Sequence, residues 1–377
     1  MTPRIYLALT HDWELRGDGS GDIEEIQFAP MRRLLAIYEK SGAHTTFLPD
    51  VMQQIRFRSL QDGHPELKRD ADSWDGHAQE AYARGHDIQL HLHSQWSNAQ
   101  YENGRWQLRG DWSLLSYDRD SAAKMISDSR SYLENALHSV DPQYRCVAFR
   151  ASALALAPSA HLLSSLAALG IEIDVSMAGG FHLNNETLQL DYRTCEETFL
   201  PYYPRMDDAR RISNQQEPIV CVPLNHFYGS RRLVTKQNLA LAKARFRRNE
   251  KTAARVMFSP ARLDSQSTGL ARVYEKLIAP AIKRKYFVSD TGRLNYPLMC
   301  EMLASIRQRA RERGLGKVPV VLTNHPKDIR DWAGLERFVG EVADADDLKF
   351  ITLSELAAKI KSGEFAVRVA ASATAAQ

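Results

Sequence analysis

Hydrophobic residues make up 44% of the 377-residue chain and charged residues 25%, a balance that is typical of a globular protein with a large core and that excludes an intrinsically disordered chain. The 49 lysines and arginines nearly balance the 46 aspartates and glutamates, so the net charge of +3 argues against nucleic acid as the main partner. The longest apolar run near the start, "IYLAL", is too short for a signal peptide or a membrane helix. We therefore expect a cytoplasmic protein with no transmembrane segment.

Short strand-like runs alternate with helical patterns along most of the chain. In order, the strand-like runs are "IYLALTHD", "HTTFLPD", "DIQLHLH", "CVAFRAS", "IEIDVSM", "PIVCVPL", "VPVVLTNH" and "LKFITLS". One helical stretch between them is closed by Gly42, and another is opened by Pro158 and closed by Gly170. This order predicts an α/β fold with a mostly parallel sheet, and seven or eight repeats favour a closed or nearly closed barrel with its functional residues at the carboxyl ends of the strands.

Two stretches interrupt the alternation and read as insertions. Residues 97–115 contain Asn103-Gly104, which supplies the positive φ angles of a tight hairpin turn, so we expect an inserted flap. Residues 182–216 are polar and irregular and predict a long loop near the mouth of the barrel. We expect the second insertion to extend to about residue 262, within a single domain over residues 1–362.

The last third of the chain adds a basic segment and a small, apolar end. The stretch Lys236–Arg255 carries seven lysines and arginines and one glutamate in a helical pattern. It is either a solvated helix face or a patch for a phosphate-bearing substrate or a membrane surface. Residues 363–377 predict a frayed tail. The four cysteines lie far apart without a CxxC pair, which favours reduced, structural thiols over a disulfide framework or a cysteine-ligated metal.

Successive side chains of a strand point to opposite faces, so each strand-like run divides into two sets. In the first run, Ile5, Leu7 and Leu9 share the face that would pack on helices. The polar residues left on the inner faces, from the first run to the last, are Thr10, Asp12 and Glu14, then Gln89, His91 and His93, then Arg150 and Ser152, then Asp174 and Ser176, then Thr323 and His325. Packing alone explains one inward polar residue but not five strands that all end this way, because unpaired buried charges are costly.

This inward set contains the residue types of a catalytic centre. Arg150 has an acidic partner in Asp12, and Asp174 is placed to accept a hydrogen bond from His325. Two adjacent imidazoles and a carboxylate can hold a catalytic divalent metal ion with a coordination position left open for water. The ends of these strands are therefore the predicted active site.

The order of motifs resembles the polysaccharide deacetylases, carbohydrate esterase family 4, also called the NodB-homology domain. The motifs that carry the resemblance are "LTHDWE", "HTTFLPD", "GHDIQLHLHSQW", "FRAS", "EIDVS" and "LTNHP", which run from about residue 4 to about residue 355. Their wording is most similar to the branch called WbmS, found among bacterial O-antigen biosynthesis proteins. The resemblance implies a distorted (β/α) barrel of the NodB-homology type.

Roles follow from the resemblance position by position. Asp12 would be the general base, and Arg150 would pair with it and keep it ionised. His325 would be the general acid that protonates the leaving amine, and Asp174 would set its tautomer and raise its pKa. Glu14 and His91 would be metal ligands.

The chain departs from the family at the second metal histidine, because Gln95 occupies that position. His93 is the nearest replacement, and Gln95 or water are the other candidates. Zinc is the first expectation for the ion, with cobalt, nickel or iron as alternatives. Ser94, Trp96 and Ser152 are the candidate substrate-binding residues; for Trp96, simple packing is the alternative.

The resemblance thus implies a metal-dependent hydrolase that removes an N-acyl group, most often acetyl, from an amino sugar during synthesis of a bacterial surface polysaccharide. A nucleotide-linked or lipid-linked sugar is the expected substrate. Two alternatives stay open. The first is a metal-independent hydrolase of a small cyclic amide or ureide, as in allantoinase-like relatives, and the second is a glycan-binding protein that has lost catalysis.

Overall fold

A computed structural model describes residues 2–184, 188–247 and 285–371, with only the backbone of residues 242–247. The strands are β1 (Arg4–Trp13), β2 (Thr46–Pro49), β3 (Asp87–Ile88), β4 (Leu90–Leu92), β5 (Gln100–Glu102), β6 (Arg105–Gln107), β7 (Ala148–Ala151), β8 (Ile173–Asp174), β9 (His182–Asn184), β10 (Gln189–Asp191), β11 (Pro204–Arg205), β12 (Asp208–Ile212), β13 (Val220–Cys221), β14 (His226–Gly229), β15 (Lys285–Val288), β16 (Lys317–Asn324) and β17 (Leu348–Phe350). The helices are α1 (Ala29–Lys40), α2 (Val51–Leu60), α3 (Pro65–Ala83), α4 (Arg119–Leu137), α5 (Leu162–Ala168), α6 (Arg231–Arg247), α7 (Tyr296–Glu312), α8 (Trp332–Ala343) and α9 (Leu353–Lys361).

Strand β1 is the centre of the molecule. It pairs in parallel with β16 along one edge, and on the other edge with β17 near its start and with β2 near its end. Every residue of β1 after the first is buried, so both faces of this strand are covered, as expected for a central parallel strand. The strand therefore delivers its last residues, and Glu14 after them, to the carboxyl edge of the sheet.

The parallel strands are assigned to two sheets. One has the order β16-β1-β2-β3 with β17 beside β1, and the other has the order β13-β8-β7-β4. Isolated bridges join Asp50 to His91 and Leu224 to Val321, and these lie between the edges of the two sheets. The predicted α/β fold with parallel strands is confirmed, whereas the predicted closed barrel is not, because no single closed sheet forms among the described residues.

The inserted segments differ in how well they agree with the predictions made from the sequence. The flap forms as predicted, since β5 and β6 are antiparallel and Asn103 and Gly104 join them at φ angles of 51° and 72°. The predicted loop over residues 182–216 is wrong in part, because it contains two antiparallel pairs, β9 with β10 and β11 with β12. Strands this short have too few residues for their alternation to stand out from a polar loop.

The end of the chain is more ordered than the sequence predicts. The ring of Phe365 is 1% exposed and lies edge-on to Tyr6 at 5.0 Å, and the backbone N–H of Arg368 donates to the carbonyl of Pro201. The predicted tail over residues 363–377 is therefore wrong for the described part of it, up to residue 371. Phe365 and the backbone hydrogen bonds of the residues after it thus hold the described part of this segment against the core.

Helix α6 covers the start of the predicted basic segment, and residues 248–255 lie outside the described residues. No described helix is long and apolar enough to cross a membrane.

Candidate active site

Glu14, His91 and His93 converge at the carboxyl edge of the sheets. The Oε2 atom of Glu14 lies 2.6 Å from Nε2 of His93 and 3.1 Å from Nε2 of His91, and the two Nε2 atoms are 2.9 Å apart. All three residues are buried, and they form a group that could hold a metal ion. The sequence predicted all three as ligands.

The donor atoms of this cluster fit a divalent metal ion. Nδ1 of His91 lies 2.8 Å from the carbonyl oxygen of Arg150, which must accept, so the proton sits on Nδ1 and the lone pair on Nε2 faces Glu14 and His93. Two imidazole nitrogens and one carboxylate oxygen are ligands that zinc and similar ions use in catalytic sites.

The backbone around His93 explains why this histidine, and not residue 95, joins the cluster. His93 is still extended, with φ −111° and ψ 108°, and its N–H donates to the carboxylate of Asp50 at 3.1 Å. Asp50 also caps α2. The chain then turns into a short 3₁₀ helix, where Nε2 of Gln95 donates to the carbonyl of Gly17 at 3.1 Å.

A buried lysine, which the sequence analysis missed, completes the surroundings of Glu14. Nζ of Lys327 lies 2.7 Å from Oε1 of Glu14 and 2.6 Å from the carbonyl oxygen of Leu15, and its side chain is 6% exposed. Burial alone would raise the pKa of Glu14, but the charges of His93 and then Lys327 hold it well below its usual range. Glu14 is therefore ionised, with one oxygen on the lysine and the other on the histidines.

Asp12 and Arg150 form the ion pair that the sequence predicts. Both are buried, and the Nη1 atom of Arg150 contacts Oδ1 of Asp12. The guanidinium also donates to the hydroxyl of Thr10 at 2.7 Å and to that of Thr323 at 3.1 Å. Burial would raise the pKa of Asp12, but the charge of Arg150, followed by that of His325, lowers it below its ordinary value.

His325 lies among three carboxylates. Its Nε2 is 3.5 Å from Oδ2 of Asp12 and 3.6 Å from Oε1 of Glu14, and its Nδ1 is 3.8 Å from Oδ2 of Asp290. At these distances the contacts are ion pairs rather than hydrogen bonds. Burial would lower the pKa of His325, but Asp290 and then Asp12 raise it above its usual value.

The predicted hydrogen bond between Asp174 and His325 does not form. Asp174 is fully buried at the end of β8, where its carboxylate accepts from the N–H of Ser176 at 2.9 Å and from its hydroxyl at 2.7 Å. Burial raises the pKa of Asp174 to about 7, against two opposing hydrogen bonds. Asp290 lies beside Nδ1 of His325 instead.

Asp290 and Lys327 were missed for different reasons. Asp290 follows β15, a strand absent from the sequence prediction, and reaches the site by an isolated bridge to Thr323. Lys327 follows His325 by two residues but lies in a turn, to which strand alternation does not apply. A lysine two residues after His325 was the one available signal.

The candidate substrate-binding residues contact other parts of the chain. The hydroxyl of Ser94 donates to the carbonyl of Asp111 at 2.7 Å, and that of Ser152 donates to the carbonyl of Trp112. Trp96 is 2% exposed and packs edge-on to Trp106 at 5.0 Å, so its predicted role as a wall of the sugar site is corrected to a packing role. The alternation of side chains between two faces applies to strands, whereas Trp96 lies in the 3₁₀ turn after β4.

No protein-family model and no curated protein matches the chain, but several solved structures do. A GH57-type branching enzyme from the hyperthermophilic archaeon Pyrococcus horikoshii is 12% identical, with a TM-score of 0.50 over 98% of this chain and 72% of that one. A protein described as a candidate polysaccharide deacetylase from Mycobacterium smegmatis is 17% identical, with a TM-score of 0.49 over 99% of this chain and 95% of that one. PuuE allantoinase is 10% identical, with a TM-score of 0.46 over 96% and 91% of the two chains. The likeness to the branching enzyme supports a shared fold and nothing beyond it, and the two lower scores carry no argument.

The buried carboxyl of Asp174 predicts a pH effect on stability. In the folded protein the pKa of Asp174 is about 7, whereas in the unfolded chain the pKa is near the ordinary value of 3.8. Between these two pH values the unfolded chain has lost a proton that the folded protein still holds. The free energy of unfolding of the wild type therefore falls as the pH rises from 3.8 to about 7. Each pKa unit corresponds to about 1.4 kcal/mol. In Asp174→Asn this cost is absent, so the free energy of unfolding of the variant should rise relative to the wild type from about pH 4 to about pH 7 and the difference should level off above that. Urea denaturation at several pH values measures the free energy of unfolding of both proteins.

The control is Asp346→Asn, a substitution of an exposed aspartate. A difference in the free energy of unfolding between Asp174→Asn and wild type that does not change with pH would contradict the assignment.

Proposed function

We propose that the protein is a metal-dependent hydrolase that removes an N-acyl group, most often acetyl, from an amino sugar. The observation that carries the proposal is the convergence of a buried Glu14, His91 and His93 cluster with an ionised Asp12 and with His325. These are residue types that amide hydrolysis needs: metal ligands, a base and an acid. The order of motifs in the sequence, which resembles the polysaccharide deacetylases, supports the same reaction class.

The side chains divide the work of amide hydrolysis among them. A divalent ion, with zinc as the first candidate and cobalt, nickel or iron as alternatives, would be held by Glu14, His91 and His93 and would supply Lewis-acid polarisation of the acyl carbonyl and of water. Asp12 takes the proton of the attacking water as the new carbon–oxygen bond forms. His325 gives a proton to the departing nitrogen as the carbon–nitrogen bond breaks, leaving a carboxylic acid and an amine.

Neighbouring residues keep both proton-transfer groups in their working states. Arg150 lowers the pKa of Asp12, so the carboxylate is free to accept a proton at neutral pH. Asp290 and Asp12 raise the pKa of His325, so the imidazole keeps the proton that it has to donate. Base and acid thus start in opposite protonation states.

We place the reaction in the synthesis of a bacterial surface polysaccharide such as O-antigen, on a nucleotide-linked or lipid-linked amino sugar. The support is the WbmS-like wording of "LTHDWE" and "FRAS". The basic segment Lys236–Arg255 has the charge to meet the phosphates of such a substrate.

Lys327 favours a second candidate, a metal-independent hydrolase of a cyclic amide or ureide. Its ammonium group already neutralises Glu14, with its side chain 6% exposed and 2.7 Å between Nζ and Oε1. A carboxylate that is paired in this way needs no metal ion for its charge. Metal content separates the two candidates.

The first prediction concerns metal stoichiometry. Wild-type protein purified without chelator should hold about one divalent ion per chain, and His91→Ala should lose it because one of three protein ligands is gone. Plasma emission spectrometry measures both. Gln95→Ala is the matched control and should keep the ion, because Gln95 bonds to Gly17 rather than joining the cluster. A metal-free wild type that hydrolyses a cyclic amide would establish the second candidate.

The second prediction concerns the base. Asp12→Asn should keep the metal ion but lose turnover by about 10² to 10⁴, because a carboxamide cannot accept the proton of water. Release of acetate from UDP-N-acetylglucosamine, together with metal content, measures the two effects separately. Full turnover in a variant that retains the ion would exclude Asp12 as the base.

The third prediction concerns the orientation of the acid. Asp290→Asn removes the charge beside Nδ1 of His325, so kcat should fall by about ten-fold or more while KM changes little. Asp290→Glu should restore part of the activity, and Asp174→Asn should leave kcat near the wild-type value because Asp174 is bonded to Ser176. Steady-state kinetics on the three variants test this, and a larger loss in Asp174→Asn than in Asp290→Asn would reverse the assignment.

A further inference from the structure

Residues 110–113, here called the Trp112 loop, are fixed to the ends of the strands that carry the site. The hydroxyl of Ser94, just after β4, donates to the carbonyl of Asp111 at 2.7 Å. The hydroxyl of Ser152, just after β7, donates to the carbonyl of Trp112. The two serines that the sequence suggested for substrate binding therefore hold this loop in place.

Close backbone packing adds to these hydrogen bonds. The N–H of Gly110 donates to the carbonyl of Gln95 at 3.3 Å, and the N–H of Asp111 donates to the hydroxyl of Tyr117 at 3.0 Å. A Cβ at Gly110 would lie 2.7 Å from both Cα of Gln95 and the carbonyl oxygen of Ser94. A residue larger than glycine at this position would displace the loop, because backbone atoms cannot give way as a flexible side chain does.

The loop places an indole next to the candidate metal cluster. The ring of Trp112 lies 6.2 Å from that of His93, centre to centre, at an interplanar angle of 59°. Trp112 is half-buried, in contrast to Trp96, which is 2% exposed beneath the flap. Trp112 thus keeps open surface beside the site where the acyl group would react.

We propose that Trp112 binds the substrate by stacking on the apolar face of its pyranose ring; this rests on the proposed function. One face of a pyranose presents mainly C–H groups while its hydroxyls point outward, so an indole can cover that face without burying unpaired polar groups. A wall held by hydrogen bonds at both strand ends is set in position before the substrate arrives, which lowers the entropy cost of binding. Trp112 is a substrate-binding residue from the inserted segment, outside the motifs that carry the family resemblance.

The test is the affinity of UDP-N-acetylglucosamine for the full chain, measured by calorimetry in an Asp12→Asn background so that no turnover interferes. Trp112→Ala should weaken the Kd by ten-fold or more, and Trp112→Phe, which keeps a smaller ring, should lie in between. Gly110→Ala should weaken it with the indole still present, because the loop is displaced. The matched control is Trp106→Phe, because the indole of Trp106 lies in the flap, where it stacks on Phe57 at 5.0 Å. The Kd of this variant should stay within two-fold of the background value.

The outcomes separate this inference from the proposed function. The stacking role is overturned if Trp112→Ala binds UDP-N-acetylglucosamine as tightly as the Asp12→Asn background does. It is also overturned if neither protein binds this sugar. Sugar binding that depends on Trp112 without any acetate release by the wild-type protein keeps the stacking role and overturns the deacetylase reaction. Thermal unfolding midpoints that match the background show that a loss of affinity is not a loss of fold, and a lowered midpoint in Trp112→Ala leaves Trp112→Phe to decide.

Discussion

The buried guanidinium of Arg150 is the constraint on which the rest of the site depends. An unpaired charge at 0% exposure would be very costly, so every strand around it has to bring a partner. Those partners are Asp12 and Thr10 from β1, Thr323 from β16 and the carbonyl of Val175 after β8. One residue of β7 thereby fixes the carboxyl ends of three other strands, in both sheets. The ion pair orients the site as well as stabilising it.

The buried carboxylates of the site also depend on partners of opposite charge. Glu14 and Asp290, like Asp12, are ionised although they are buried, because each has a positive neighbour. For Glu14 these neighbours are His93 and then Lys327, and for Asp290 the neighbour is His325. Asp174, whose partners are the neutral groups of Ser176, shows the contrast, since burial raises its pKa to about 7. Charge partners, rather than depth alone, therefore separate the lowered pKa values of Asp12, Glu14 and Asp290 from the raised pKa of Asp174.

Strand alternation predicted which side chains of β1, β4 and β7 meet at the site, but not the surroundings of Asp174 on β8, which is bonded to Ser176 rather than to His325. Asp12, His91 and Arg150 face one interior because residues two apart on a strand share a face, and this holds whatever the loops do. The parallel sheet was predictable from the alternation of strand-like and helical stretches along the chain. Closure into one barrel was predicted and is not confirmed, because among the described residues the two parallel sheets are joined by isolated bridges and not by a continuous strand ladder.

The parts that the sequence did not reveal lie in turns and insertions. Lys327 and Asp290 come from segments where no period of two or of 3.6 residues links position to direction. Trp96 and Trp112 are similar in sequence, because each is a tryptophan shortly after a strand. In the structure, Trp96 lies beneath the flap, whereas Trp112 borders the site. Only long-range contacts distinguish them: Phe57 covers Trp96, and the hydroxyl of Ser152 holds the backbone of Trp112.

His93, and not Gln95, lies in the cluster with Glu14 and His91 for a reason that is local. A histidine four residues after His91 would have to return from a turn to reach the same ion, whereas His93 needs no turn because the chain is still extended there. The bond from its N–H to Asp50 holds that extension for one residue past β4, to the point where the 3₁₀ helix begins. Asp50 therefore supplies the partner that the N–H of His93 needs in the extended conformation, in which the ring of His93 reaches Glu14.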